Sequence, residues 1–332
     1  MVEPTIVVVS DLHISNGSGI AESVDSGQHP WSWCSRVARD QFVDWCEALL
    51  KRPEVEQVVL NGDIVDSWIW PYDVTPPTVD NIYASVFFVP VLQVLQQLSQ
   101  QKHLLYLAGN HDMLATHSNF LCSALPRADT NVACDVDAVH VEHGNHYCCF
   151  TCFDDRMPTG TPVGYYISRL CAAVDRDTGS HVMGSREYTA AILEMAGHGN
   201  VADAILTAMQ RKGNIPSNAG IQLLDGDTTL NTVAQQYDDT LLWFAGLRGL
   251  DGLLAGIDGE TKSLEPAADI LLAKTPGKIV VLGHTHEPVL QTRKNGTYAN
   301  SGCWGATPEN QTWVEVTGTT VTLHDNAGHT TP

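Results

Sequence analysis

The chain alternates between apolar runs of strand length and segments in which apolar residues recur at helical spacing. The nearly continuous apolar runs are Thr5–Ser10, Val55–Leu60, Leu104–Ala108, Lys278–Leu282 and the shorter Ala138–Glu142. Such runs predict β-strands that are buried on both faces. Helical spacing predicts helices at 36–51 and within 81–100. Strands that alternate with helices predict an α/β fold with a mostly parallel sheet covered on both faces.

Residues 155–275 break this alternation and predict a helical insertion. They are rich in Ala, Leu, Gly and Asp, and we expect helices at about 164–174, 187–210, 233–246 and 265–274. The strand pattern then returns, with hairpins predicted at Asn295-Gly296 and Thr317-Gly318. We therefore expect one domain over residues 1–332 that contains the insertion. Three roles stay open for the insertion: a cap over a site, a homodimer interface, or part of the core.

The net charge limits the partners of the protein. The 332 residues include 18 basic and 38 acidic side chains, which gives a formal charge of −20. Such a surface repels nucleic-acid backbones, so no long nucleic acid is expected as a partner, and a phosphate ligand needs a local cation. The longest apolar stretch, Ile82–Leu92, is too short for a transmembrane helix. Nine cysteines without a disulfide pattern, together with the lack of a signal sequence, predict a reduced, cytoplasmic protein.

Residues that can bind a metal follow five of the predicted strands. The segments are Asp11-Leu12-His13, Gly62-Asp63, Gly109-Asn110-His111-Asp112, His143-Gly144 and Gly283-His284-Thr285-His286. Ligands of α/β sheets bind beyond the carboxyl ends of the strands, so these side chains should meet at one edge. The glycines at 62, 109, 144 and 283 are expected to relieve crowding beside them. The sequence therefore predicts a site of carboxylate, imidazole and amide groups.

The ordered set D-x-H, G-D, G-N-H-D, H and G-H-x-H resembles the calcineurin-like metallophosphoesterases over residues 5–153 and 278–305. The resemblance implies a four-layer α/β/β/α sandwich that hydrolyses phosphoric esters or anhydrides at two metal ions. Three segments are most similar to the branch with the UDP-2,3-diacylglucosamine pyrophosphatases, namely Asn61-Gly62-Asp63, Asp66-Ser67-Trp68-Ile69 and Val141-Glu142-His143-Gly144. That branch usually carries Arg in place of His111 and Asp in place of Asn145. Both departures favour the wider, functionally mixed family.

The resemblance also implies a role for each matching position. Asp11, His13 and His286 should hold one metal, Asn110, His143 and His284 the other, and Asp63 should bridge the two. Nitrogen and oxygen ligands without a thiolate suit two divalent ions of manganese, iron or zinc, of which manganese is favoured. A metal-bridged hydroxide is expected to attack phosphorus. His111 should stabilise charge or protonate the leaving oxygen, and Asp112 should orient it.

Aromatic and basic residues near these motifs are candidates for contact with a substrate. Trp68 and Trp70 follow the Asp63 motif on a loop, where they could stack on a base, contact a lipid or simply pack. Trp31 and Trp33, in the first long loop, carry the same alternatives. Arg169, in the insertion, could meet a distal phosphate.

These features predict a metal-dependent hydrolase, in the first place a phosphodiesterase or pyrophosphatase with a small nucleotide-linked substrate. A phosphomonoester or phosphoprotein phosphatase is the second alternative. A nuclease is the third, and the negative charge disfavours it. A catalytically inactive interaction scaffold is the alternative from another class. All seven implied ligand positions and His111 are present, which favours an enzyme.

Overall fold

A computed structural model of the chain describes residues 3–153, 161–179, 211, 213–216, 218–224, 226–229, 232–233, 243–249, 263–274, 277–304 and 311–331. Its strands in chain order are β1 (Thr5–Val9), β2 (Val55–Asn61), β3 (His103–Leu107), β4 (Asp129–Asn131), β5 (Ala133–Val136), β6 (Val139–Glu142), β7 (Gly220–Leu223), β8 (Gly226–Thr229), β9 (Ile279–Leu282), β10 (Val289–Arg293), β11 (Gly296–Asn300), β12 (Thr312–Thr317), β13 (Thr320–Asp325) and β14 (Thr330–Thr331). The labelled helices are α1 (Arg36–Leu50), α2 (Val79–Tyr83), α3 (Val89–Gln101), α4 (Asn119–Ala124), α5 (Val163–Thr178) and α6 (Glu265–Lys274). Within these ranges, no helix is long and apolar enough to cross a membrane.

The strands form two large mixed sheets instead of the single, mostly parallel sheet that the apolar pattern predicts. The first sheet has the order β14-β13-β12-β1-β2-β3-β4, with β1 to β4 parallel and the other three strands added in antiparallel pairs. The second has the order β10-β11-β9-β6-β5, with three parallel strands in the middle and an antiparallel strand at each edge. Both predicted hairpins are confirmed, as β10 with β11 and β12 with β13.

Alternate residues of β1 show how the layers are built. Val8 lies in a core between the two sheets together with Val281 of β9, whereas Val7 lies in the core beneath α1 and α3. On the far side, Leu272 of α6 lies in a core with Val280 of β9. Successive side chains of a strand point to opposite faces, and both faces are covered, so each strand is apolar throughout. The resulting order of helix, sheet, sheet and helix is the four-layer sandwich that the resemblance implies.

The described part of the insertion adds a separate cluster. The helix predicted at 164–174 is confirmed as α5, which packs with Phe150, Ile221 of β7 and Phe244. The helix predicted at 187–210 lies outside the described residues, as does most of the one at 233–246. The helix predicted at 265–274 is confirmed as α6, but it covers the second sheet. Leu264, just before α6, lies in the same core, and the bounds of the insertion at 155–275 stay a prediction.

Candidate metal centre

The predicted ligands meet at one edge of the sandwich, beyond the carboxyl ends of β1, β2, β3, β6 and β9. His286 Nε2 lies 3.1 Å from Asp11 Oδ1 and 3.1 Å from His13 Nε2. His143 Nε2 lies 3.2 Å from Asp63 Oδ2. Three overlapping groups offer ligand atoms within 4.8 Å of one another: Asp11, His13 and His286; His13, Asp63 and His111; Asp63, His143 and His284.

Five of the seven predicted ligands have left-handed backbone conformations. Their φ angles are 57° at Asp11, 50° at His13, 54° at Asp63, 72° at His284 and 59° at His286. Non-glycine residues adopt this region at a cost of about 1–3 kcal/mol each, and such strain clusters at functional sites. Backbone hydrogen bonds between the loops hold the conformation, such as the one from the Asp11 N–H to the Gly62 carbonyl at 3.0 Å. The strained backbone conformations therefore direct these side chains toward one point.

Gly62 shows why a glycine precedes the central carboxylate. Its φ is 82°, and a Cβ atom there would lie 2.5 Å from the ring of His143. Any side chain at 62 would therefore push this imidazole away from Asp63. The expected relief of crowding is confirmed here and at Gly109 and Gly283, whereas the space at Gly144 is taken by Leu264.

Buried polar atoms of three predicted ligands lack hydrogen-bond partners within the described chain. The Oδ1 atom of Asn110, a residue that is 1% exposed, has none. Asp11 Oδ1 and His143 Nε2 have close polar neighbours but no hydrogen bond of good geometry. A buried polar atom without a partner is costly, and such atoms usually serve a ligand. Oxygen and imidazole donors suit divalent first-row metals, so these residues fit a divalent metal site.

The charges of the site compensate one another without a metal. Burial opposes the ionised form of Asp63, but His143 and His111 lower its pKa. Burial opposes the protonated form of His13, but the nearby carboxylate of Asp11 and a hydrogen bond to Asp66 raise its pKa to about 10. Burial likewise opposes the protonated form of His143, but the nearby Asp63 raises its pKa to about 9. In the metal-free protein, protonated imidazoles therefore supply the positive charge that bound cations would supply.

Two further histidines are neutral and have lone pairs for a cation. Burial and the nearby His143 lower the pKa of His284 to about 3. Burial also lowers the pKa of His286, although Asp11 opposes the shift. A neutral imidazole is the form that binds a metal. These two predicted ligands would therefore not have to lose a proton before a metal binds.

A comparison with protein families now identifies the fold and its chemistry. A model described as calcineurin-like phosphoesterase matches residues 4–288. The chain belongs to the calcineurin-like phosphoesterase family. It is a metal-dependent phosphoester hydrolase, and the cluster of Asp and His side chains fits a divalent metal site.

Two solved structures are similar to this phosphoesterase at 11% sequence identity each. One is a conserved uncharacterised protein, a predicted phosphoesterase, from Streptococcus pneumoniae TIGR4; the match covers 100% of this chain and 95% of that chain, with a TM-score of 0.29. The other, from Staphylococcus aureus, is named as a candidate 5′-nucleotidase; the match covers 99% of this chain and 52% of that chain, with a TM-score of 0.32. Scores this low add nothing to the assignment. A comparison with curated proteins finds no match.

Asp66 connects two histidines of the phosphoesterase and is a site residue that the sequence analysis missed. Its Oδ2 lies 3.0 Å from His13 Nδ1, and its Oδ1 lies 3.0 Å from His111 Nδ1. Burial opposes ionisation, but the two histidines hold the pKa of Asp66 well below its usual range, so the imidazoles donate and the carboxylate accepts. The sequence signal was its position three residues after Asp63.

Asp112 does not take the predicted place beside His111. Its described hydrogen bonds come from the backbone N–H groups of Asp63, Ile64 and Gly109 and from the Tyr106 hydroxyl. Burial and the charge of Asp63 raise its pKa. Asp112 therefore connects the loops after β2 and β3 by accepting hydrogen bonds from their backbone N–H groups. The carboxylate that orients His111 is that of Asp66.

The three predicted substrate contacts are buried. Trp68 is 1% exposed and lies against His111, with ring centroids 4.8 Å apart. Trp70 is 5% exposed, and its indole N–H donates to the Asp66 carbonyl at 3.4 Å. Arg169 is fully buried and donates mainly to backbone carbonyls of the loop around Pro71. These contacts favour structural roles, and a direct contact with substrate stays a prediction.

Trp33 is a neighbour of the metal centre that the sequence left ambiguous. The centroid of its ring lies 4.7 Å from that of His13 and 4.3 Å from that of His286. The indole is half-buried, so it packs on two predicted ligands and also borders solvent. The sequence signal was its place in the long loop that follows the D-x-H motif.

Proposed function

We propose that the protein is a dinuclear phosphodiesterase or pyrophosphatase that acts on a small, nucleotide-linked substrate. The observation that carries the proposal is the convergence of the predicted ligands with His111, whose imidazole is fixed by Asp66. Asp11, His13 and His286 would hold one ion, and Asn110, His143 and His284 the other, with Asp63 between them. Two bound cations would neutralise the phosphoryl group and lower the pKa of a water molecule. Manganese is the favoured ion.

His111 is the group that we propose to protonate the leaving oxygen. It offers a nitrogen within 4.8 Å of ligand atoms of His13 and Asp63, so it borders the position of the phosphoryl group. Because its Nδ1 donates to Asp66, the Nε2 atom is the one left to carry the proton for the leaving oxygen. A well-placed general acid contributes roughly 10²–10⁴-fold to the rate.

The charge distribution supports a small substrate with a single negative charge at phosphorus. The charged groups that act most strongly on Asp11, Asp63 and Asp66 are histidines, and no Lys or Arg of the described chain is among them. A phosphomonoester carries a second negative charge, and the described part of the site has no such side chain to stabilise it. The formal charge of −20 also disfavours long polyanions.

A substrate panel with Mn²⁺ tests the reaction class. It contains bis-p-nitrophenyl phosphate, p-nitrophenyl phosphate, cyclic nucleotides and UDP-sugars. We expect the highest kcat/KM with a diester or pyrophosphate. A strong preference for the monoester would favour the phosphatase alternative, and protein that holds no metal after reconstitution would favour the scaffold.

The role of His111 is tested by comparing leaving groups. p-Nitrophenolate leaves readily without a proton, whereas a nucleoside or sugar alkoxide does not. His111→Ala should therefore slow cleavage of a diester with an alkoxide leaving group by roughly 10²–10⁴-fold, and cleavage of the p-nitrophenyl diester far less. His117→Ala is the matched control, because this histidine is exposed in the same segment. Equal losses on both substrates would contradict the proton-donor role.

A further inference from the structure

We propose that helix α5 of the insertion positions His111 through Tyr165 and Trp68, and that Arg169 fixes the loop that carries Trp68. The inference rests on the proposed role of His111 as proton donor. It gives the insertion a function in catalysis and gives Trp68 and Arg169 positioning roles in place of direct contact with substrate.

Trp68 packs against one face of the His111 imidazole. The two rings are nearly parallel, with an interplanar angle of 30° and centroids 4.8 Å apart. The backbone N–H of Trp68 also donates to Asp66 Oδ1 at 2.8 Å, and the same oxygen accepts from His111 Nδ1 at 3.0 Å. One face of the imidazole and one of its nitrogens are therefore fixed by a single short segment, so displacement of Trp68 would move the imidazole.

Tyr165 of α5 supports the other side of Trp68. Its ring meets the indole edge to face, at 86° and a centroid distance of 5.8 Å. Arg169, one helical turn later, donates from Nη1 to the Tyr165 hydroxyl at 2.7 Å. Residues four apart lie on the same face of a helix, so α5 presents both side chains to the loop.

Arg169 ties that loop to the helix. Its Nε donates to the Trp70 carbonyl at 2.7 Å, and its Nη2 donates to the carbonyls of Pro71 at 2.9 Å and Val74 at 2.5 Å. It also donates to the carbonyl of Gln222 in β7 at 2.9 Å. No carboxylate of the described chain accepts a hydrogen bond from it, although the guanidinium is fully buried. A buried cation held only by neutral acceptors stabilises a fold poorly. Its five directional donors instead fix the geometry of the loop.

The test uses variants that keep both Trp68 and His111. Tyr165→Leu removes the ring support, Tyr165→Phe removes only the acceptor for Arg169, and Arg169→Lys keeps the charge but loses the fork of donors. Tyr166→Leu is the matched control, because Tyr166 follows Tyr165 on α5 and lies buried in the cluster against which Tyr165 packs. Trp68 is not among its described ring contacts.

We expect Tyr165→Leu and Arg169→Lys to slow cleavage of a diester with an alkoxide leaving group by about tenfold, since small misplacement of a catalytic group costs this much or more. Cleavage of the p-nitrophenyl diester should change by less than about twofold. Tyr165→Phe should lie between the wild type and Tyr165→Leu. A second readout needs neither metal nor activity. In metal-free protein, the NMR signals of the His111 ring should move in both variants, because the ring current of Trp68 acts on them.

Each outcome either supports or overturns the positioning of His111 by α5. Equal losses on both substrates, unchanged His111 signals, or effects no larger than those of Tyr166→Leu would overturn the inference, and the His111→Ala contrast would still support the proposed function. If His111→Ala shows no contrast between leaving groups, the proposed role of His111 as proton donor is wrong. The shifts of the His111 signals would then still report whether α5 positions this ring.

Discussion

A Cβ atom on Gly109 would lie 2.3 Å from Oδ1 of Asp63. The same oxygen accepts the backbone N–H of His111 at 2.8 Å, so the carboxylate is held against the Gly109 backbone with no space between them. Asp63 is the proposed bridge between the two metals. The loop after β3 therefore fixes the position of a ligand that the loop after β2 supplies.

Gly109→Ala is expected to abolish activity and to reduce the bound metal from about two ions per chain to well below one. The new methyl group would have to displace the Asp63 carboxylate, which serves both proposed ions. Elemental analysis after reconstitution with Mn²⁺ measures the loss. Gly220→Ala is the control, since a Cβ atom there meets open space. Full metal content in Gly109→Ala would mean that Asp63 is not confined by this loop.

Tyr83, Tyr106 and Asp112 form a buried chain of hydrogen bonds behind the site, and breaking this chain should destabilise the protein. The Tyr83 hydroxyl donates to Tyr106 at 2.9 Å, and Tyr106 donates to Asp112 Oδ2 at 2.7 Å. Tyr106→Phe leaves a carboxylate oxygen and a hydroxyl short of partners, so the free energy of unfolding should fall by about 1–3 kcal/mol. Metal affinity should fall as well, because Asp112 also holds the Asp63 backbone. Urea titration and metal titration measure the two effects.

Tyr83→Phe is the comparison for that experiment. It shortens the chain by one hydroxyl but leaves the hydrogen bond from Tyr106 to Asp112 in place. Its effect on metal affinity should be the smaller of the two. Equal effects of the two substitutions on metal affinity would show that the contact with Asp112 does not position the ligand loop.

The apolar pattern predicted the strands of this fold but not their division into two sheets. A continuous apolar run such as that of β9 shows only that both faces of the strand are covered. It does not show whether a helix or another sheet covers a face. Val281 packs toward the first sheet and Val280 toward α6, and both are valines. The two-sheet arrangement came instead from the resemblance in the order of the motifs.

The site shows a similar limit. The meeting of these side chains could be predicted from their places at strand ends, because the carboxyl ends of neighbouring strands meet. The partner of His111 could not be predicted in this way. Asp112 is its neighbour in sequence, yet Asp66, 45 residues away, holds its imidazole. That choice depends on how the loops after β2 and β3 are placed relative to each other, and local spacing does not contain this information.

Metal binding is expected to release protons. In the metal-free protein the pKa values of His13 and His143 are about 10 and about 9, so both imidazoles are protonated at neutral pH. An imidazole must lose its extra proton before it can bind a metal, so protons compete with the metals and affinity should rise with pH. The expected slope is about tenfold per released proton per pH unit, flattening as pH passes the two pKa values.

Calorimetry in buffers of different ionisation enthalpy measures the protons released at pH 7, where we expect close to two for the pair of ions. His140→Ala is the control. His140 also has a raised pKa, owing to Glu142 and Asp135, but it is not one of the proposed ligands. This substitution should leave the number unchanged. Metal affinity that does not depend on pH would contradict the proposed ligand set.

The proposed division of ligands predicts different metal contents for two substitutions. His286 contacts Asp11 and His13 on one side of the centre, whereas Asp63 belongs to ligand groups on both sides. His286→Ala should therefore retain about one ion per chain, and Asp63→Asn should retain less. Both variants should lack measurable activity on the diester, since the proposed reaction needs both cations. The measurement is elemental analysis at saturating Mn²⁺, with the folded state checked by circular dichroism. A full pair of ions in folded Asp63→Asn would show that this carboxylate does not bridge the metals.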